Sequence, residues 1–132
     1  MIQAREKRQV EGASALRMLI NRIAKYCGVA GMVLIAIFAL GPAHWQPRTG
    51  LGWGADHILG YFGITMVLCV AWPRPVLVGG AVMVIAVLLE GLQAFTPDRS
   101  ANLLAALAGA GGALAAALVA ELFIRARRWH AG

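Results

Sequence analysis

Acidic side chains are nearly missing from this chain, six Asp and Glu in 132 residues, and charged residues of both signs make up only 14% of it. A soluble domain devotes about a quarter of its residues to charge and keeps its apolar share near half. Here the apolar share is 60% and the mean hydropathy is +0.71. That composition excludes an ordinary soluble fold and points to a membrane protein. Cysteine is scarce too: Cys27 and Cys69 are the only two, and both lie in apolar stretches, so no disulfide is expected. No CxxC or HExxH spacing offers a metal site, no glycine-rich loop follows a strand to hold phosphate, and no GxSxG marks a hydrolase. Neither a metal nor a cofactor is therefore expected, and no residue is assigned as catalytic. The alternation of apolar and polar residues that a spanning β-barrel requires is also missing, which leaves helices to satisfy the backbone in lipid.

Four apolar blocks are present instead, at 26–43, 56–72, 76–95 and 102–124. Each is near the roughly 17 to 25 residues that a helix needs to cross about 30 Å of hydrocarbon. The sequence predicts an all-α, integral membrane four-helix bundle in one domain, 26–124. A basic juxtamembrane segment (1–25) precedes it and a basic tail (125–132) follows. Within 14–25, Leu16, Leu19, Ile20 and Ile23 recur at helical spacing while Arg17, Asn21, Arg22 and Lys25 face elsewhere, so this segment is expected to lie along the membrane surface. The polar first dozen residues are expected to fray.

Positive charge sets the orientation. Arg5, Lys7, Arg8, Arg17, Arg22 and Lys25 precede the first block, Arg74 sits between the second and third, and Arg125, Arg127 and Arg128 follow the fourth. With both termini in the cytoplasm, ten of the twelve basic residues lie inside, and only Arg48 and Arg99 lie outside; this is the positive-inside pattern. Tyr26, Trp72 and Trp129 then mark the inner interface, and Trp45 and Trp53 the outer one. The expected location is the cell (inner) membrane, crossed several times. A cleaved secretory signal is the alternative for the first block, but it would give up this balance of charge. The net charge of +6 has no nucleic-acid-binding signature around it. Its expected partners are membrane lipids, anionic ones among them, attracted by about 1 kcal/mol per basic residue near a charged leaflet. A second copy of the chain or another membrane protein stays open as a partner.

The few polar side chains gather in one place. Threading the chain through a membrane brings Asp56 and His57 at the start of span two, Glu90 and Gln93 at the end of span three, Asp98 and Arg99 in the following loop, and Asn102 at the start of span four to the outer face. Glu90 and Gln93 are three apart, and His57 and Tyr61 four apart, so each pair shares a helix surface. Glu90 lies just inside the interface, where an ionised group costs a few kcal/mol unless paired, and Arg99 is the expected partner. The set Asp56, His57, Tyr61, Glu90, Gln93, Arg99 and Asn102 has two readings. It ties helix ends together, with Asp98 and Asn102 turning and capping, or it holds a polar or phosphate-bearing head group. Elsewhere, Glu121 and Arg125 read as an i,i+4 pair, and Met32, Met66 and Met83 as core or lipid-facing filler. Span four carries small residues at four-residue spacing, Ala105, Gly109, Ala113 and Ala108, Gly112, Ala116, which predicts close packing. Gly28 and Gly31 of span one and Gly79 and Gly80 of span three are its candidate partners.

The run Glu90-Gly-Leu-Gln93-Ala-Phe95-Thr-Pro97-Asp-Arg99, followed by Gly112 in a small-residue helix, resembles the signature of the VanZ-like family of small multi-pass membrane proteins. His57-Ile-Leu-Gly-Tyr61-Phe62 resembles that family's earlier His-aromatic element. The resemblance covers about residues 27–124. Where members commonly show Ser, then Asp three residues on, then Asn four further, this chain has Asn102, Ala105 and Gly109, so an intramembrane carboxylate is missing. The family is associated through its namesake with glycopeptide resistance, which does not transfer on resemblance alone. Two functions stay in view: a non-enzymatic cell-envelope scaffold or binder of a polar or phosphate lipid head group, and an intramembrane enzyme acting on a lipid-linked envelope precursor. The second would use Glu90 or His57 as acid or base and Arg99 against phosphate charge. No Ser, Cys or Thr nucleophile neighbours His57 in sequence, which favours the first.

Overall fold

A computed structural model describes residues 2–130, with side chains from Lys7 onward; Arg5, counted among the basic residues above, has its side chain outside that range, and Gly132 lies outside it altogether. Among the described residues the chain has no strand and four α-helices: α1 (Ile2–Leu40), α2 (Trp53–Ala71), α3 (Pro75–Leu92) and α4 (Leu103–Trp129). Short 3-10 turns follow α1 at Ala43–Trp45 and α3 at Gln93–Phe95. All four helices are long and apolar enough to cross a membrane. Large apolar side chains such as Leu77, Val84, Leu88, Leu107 and Phe123 point outward. In water such a surface would aggregate, whereas in a bilayer it faces lipid.

Local chemistry marks each boundary. Gly52, with φ of 102°, supplies the positive φ that precedes α2 and that side chains resist. Trp72-Pro73 ends α2, and Pro75 opens α3 at its first turn, where its missing N–H costs nothing. Asp98 adopts φ of 63° in the α3–α4 turn, a left-handed conformation that Asp tolerates. Asn102 caps α4 by accepting from the Leu104 N–H at 2.9 Å.

α4 packs against both α2 and α3 along its buried small-residue face, which includes Ala105, Gly109, Gly112, Ala113, Ala116 and Ala120. A Cβ added to Gly112 would collide with the backbone of Ile58 in α2, and one added to Gly79 would stand 2.5 Å from the Ala117 Cβ. The expected close packing of span four is therefore present. Three candidate partners differ from expectation: Gly28 and Gly31 receive Leu68 and Ile64 of α2, not α4, and Gly80 faces open space. Chain order explains this, because α1 and α2 form a hairpin and α4 fills the other side of α2. Tyr61, Leu68, Val82, Ala86 and Ala113 form the central cluster, with Met32 and Met83 packed at its edge. Both cysteines are free, Cys69 buried and Cys27 exposed.

α1 departs most from the expectation. Its 39 residues rise about 58 Å at 1.5 Å each, well beyond about 30 Å of hydrocarbon. Residues 2–12 are helical rather than frayed, and 14–25 continue the span without a break instead of forming a separate surface helix. Ala, Glu, Gln, Lys, Arg and Leu are strong helix formers, and extension from a helix already in place needs no new nucleus. Asn21 fixes where the bundle ends. Its Nδ2 donates to the Ala71 carbonyl at 2.8 Å and, at 3.4 Å, to that of Val70, while the Lys25 ammonium lies 5.8 Å from the Trp72 ring centroid. The Asn21 bonds satisfy orphan carbonyls at the C-terminus of α2, and the Lys25 contact adds a cation–π attraction beside them. Asn21→Ala should lower stability by about 1 kcal/mol, measured by thermal unfolding in detergent, whereas Asn21→Gln should recover part of it. Near the same end, the Arg125 guanidinium meets Glu121 at 2.8 Å, as the spacing predicts.

Candidate functional site

At the opposite end of the bundle, the last turns of α1, the loop after it, the first turns of α2 and the end of α3 enclose a cavity of about 130 Å³. α1 supplies an apolar wall of Ile35, Phe38 and Ala39, and the loop adds Gln46 and Pro47. α2 brings Asp56, His57, Gly60 and Tyr61, and α3 brings Glu90 and Gln93. Five residues singled out from the sequence, Asp56, His57, Tyr61, Glu90 and Gln93, thus line one cavity. Arg99 and Asn102 do not line it.

Helix periodicity explains the convergence on α2, since Asp56 or His57, then Gly60 and Tyr61, return to one face at three- and four-residue intervals. Tyr61 is 7% exposed, and its ring lies flat against α4 where Gly109 leaves room: a Cβ there would sit 2.8 Å from Cδ2 and Cε2. Thr65, one turn further along, is fully buried and donates to the Tyr61 carbonyl at 2.6 Å.

Glu90 is 6% exposed. One carboxylate oxygen accepts from the backbone N–H of Asn102 at 2.8 Å, and the other from Gln93 Nε2 at 3.2 Å. The carboxylate therefore sits at the N-terminus of α4, where unpaired N–H groups and the helix dipole favour negative charge. Asp56 accepts from the backbone N–H of Thr49 at 3.2 Å and from the Thr49 hydroxyl, which fastens the preceding loop to the first turn of α2. His57 Nδ1 lies 2.8 Å from the Trp53 carbonyl. Only a protonated Nδ1 can donate to that oxygen, so the neutral ring turns Nε2 outward as an acceptor.

Arg99 is not the partner of Glu90. Its guanidinium donates to the carbonyls of Phe38 at 2.8 Å, Gly41 at 3.1 Å and Pro42 at 3.3 Å, and to Gln46 Oε1 at 3.3 Å. It therefore closes the C-terminus of α1, where orphan carbonyls and the negative end of the dipole draw a cation. Spacing within 90–99 suggested a local pair; the α1 carbonyls, about 60 positions away in sequence, compete better because they offer several acceptors fixed in place. Gln46 and Phe38 went unrecognised for the same reason: no local spacing connects a loop glutamine or a main-chain carbonyl to a distant arginine. Among the described residues no three His, Cys, Asp or Glu side chains converge to hold a metal ion.

Set against known protein families, curated proteins and solved structures, the chain matches none of them.

Proposed function

We propose that this chain is a multi-pass protein of the cell (inner) membrane, of the VanZ-like type. Both termini lie in the cytoplasm, and the chain binds the polar head group of a lipid or lipid-linked envelope precursor without transforming it. The observation that carries this reading is the cavity itself, which has an apolar wall from α1 and polar groups from α2 and α3. That combination suits an amphiphile whose head group is held by a few placed polar atoms. In the proposed orientation the cavity opens at the outer face, and the extended basic half of α1 projects into the cytoplasm, where anionic lipid attracts it. No Ser, Thr, Cys or Lys lines the cavity, and its carboxylates are already bonded to neighbouring N–H or hydroxyl groups. Without a nucleophile in the lining, the alternative enzymatic reading has the weaker support.

Two measurements test the proposal. A phosphatase that works only outside the cytoplasm should be active when inserted at Gly50 and inactive when fused after Gly132; activity at Gly132 would refute the orientation. Purification in mild detergent followed by mass spectrometry should find one head-group class retained by the native protein and lost when cavity residues are changed. Retention of bulk phospholipid alone, alike in native protein and cavity variants, would leave only an architectural role.

A further inference from the structure

Counting hydrogen-bonding capacity around the cavity shows what an occupant must bring. The strong donors of this end of the bundle are already engaged: Arg99 donates to α1 carbonyls and Gln46, and the N–H groups of Asn102 and Thr49 to Glu90 and Asp56. Lining the cavity are neutral amide N–H groups of Gln46 and Gln93 and a set of acceptors that includes its two carboxylates. The acceptors are the second oxygen of Asp56, His57 Nε2 and the already bonded carboxylate of Glu90, and neither carboxylate meets a Lys or Arg at ion-pair distance among the described residues. The Tyr61 hydroxyl is the second, independent sign. Tyr61 is 93% buried, with an exposed fraction of 7%, lines the cavity, and makes no hydrogen bond through its hydroxyl within the described residues. No fully enclosed side-chain oxygen or nitrogen of the described residues lacks a partner. The Tyr61 oxygen is therefore not enclosed by protein, and Tyr61 is part of the cavity wall.

Resting on the head-group reading above, we infer that this cavity takes a primary ammonium group. Three N–H donors and one positive charge match a lining of acceptors with two carboxylates, Asp56 and Glu90, and no paired cation. The Phe38 and Tyr61 rings give the same charge an aromatic surface. A phosphate placed here would meet two carboxylates and no free cationic donor, so an anionic group belongs outside the cavity. The ammonium could belong to a lipid head group or to a free amine, and the two sources are separable.

Protein in detergent is equilibrated with equal parts of phosphatidylethanolamine, phosphatidylcholine, phosphatidylglycerol and a glucosyl diacylglycerol, and retained lipid is read by native mass spectrometry. The native protein should keep phosphatidylethanolamine about tenfold over each of the others, the ratio expected from one charge-assisted hydrogen bond. Phosphatidylcholine keeps the charge but has lost its N–H donors, and the glycolipid has hydroxyl donors without charge. Tyr61→Phe and Asp56→Asn should each bring the preference to about twofold or less with the fold intact by thermal unfolding, while Glu121→Gln, at the far end of α4, should leave it unchanged. Free ethanolamine that displaces the lipid would assign the site to a soluble amine; failure to displace it would assign the site to the membrane. A preference for another head group that Tyr61→Phe and Asp56→Asn abolish would overturn the ammonium inference and keep the head-group reading. Uniform retention, unchanged in both variants, would overturn both.

Discussion

Gly112→Leu should abolish accumulation of the folded protein in the membrane. The position faces main chain rather than side chain, because a Cβ there would collide with the carbonyl, Cα and carbonyl carbon of Ile58. Overfilling a packed site ordinarily costs about 1 to 3 kcal/mol, relieved by side chains that turn aside. A backbone has no alternative rotamer, so α2 and α4 must separate, and the loss should reach about 3 kcal/mol or more. Gly109→Leu should also destabilise, but it displaces the Tyr61 ring and so disturbs the cavity as well. Leu118 is exposed on the same helix, and Leu118→Ile should be nearly neutral. Membrane accumulation and thermal unfolding in detergent check all three. Equal tolerance would mean that the small-residue face of α4 is compositional rather than a packing surface.

The second large effect is expected at Arg99, and its form separates two architectures. Arg99→Gln removes most of a charged clamp on the carbonyls of Phe38, Gly41 and Pro42 and on Gln46, for a loss of about 2 to 4 kcal/mol. Glu90→Gln keeps an acceptor for the Asn102 N–H and should cost less, about 1 kcal/mol. Because the two side chains have no common partner, the double variant should lose the sum of the two within about 0.5 kcal/mol. A direct ion pair would behave oppositely: each single change would leave an unpaired group, and the double change would recover much of the loss. Recovery in unfolding experiments on the four proteins would therefore contradict the arrangement in which each residue closes a different helix end.

The four spans could be read from sequence because each signal is local. A run of apolar residues of spanning length, Pro75 at a helix start, Asn102 before another and small residues at four-residue spacing each report on one helix or one turn. The convergence of Asp56, His57, Tyr61, Glu90 and Gln93 was legible for a related reason, since short connections force span ends to meet. What escaped were bonds set by two distant helix termini. Arg99 to Phe38 and Asn21 to Ala71 join a side chain to a carbonyl, and every residue has a carbonyl, so composition gives no hint of which one is chosen. The length of α1 escaped differently: its first residues lack an apolar face, and their helix continues one that the membrane segment has already begun.

The clamp on α1 also has an order in time. Arg99 lies 61 positions after Phe38, to whose carbonyl it donates, so the ribosome has delivered both helices of the first hairpin long before their closing residue exists. During that interval the carbonyls at the end of α1 and the Gln46 side chain lack their arginine, and the wall they form around the cavity is unfixed. Arg99 precedes α4, so this helix end is fastened only once the turn after α3 has been made, and the α1 side of the cavity wall is the last part of the first hairpin to be fixed.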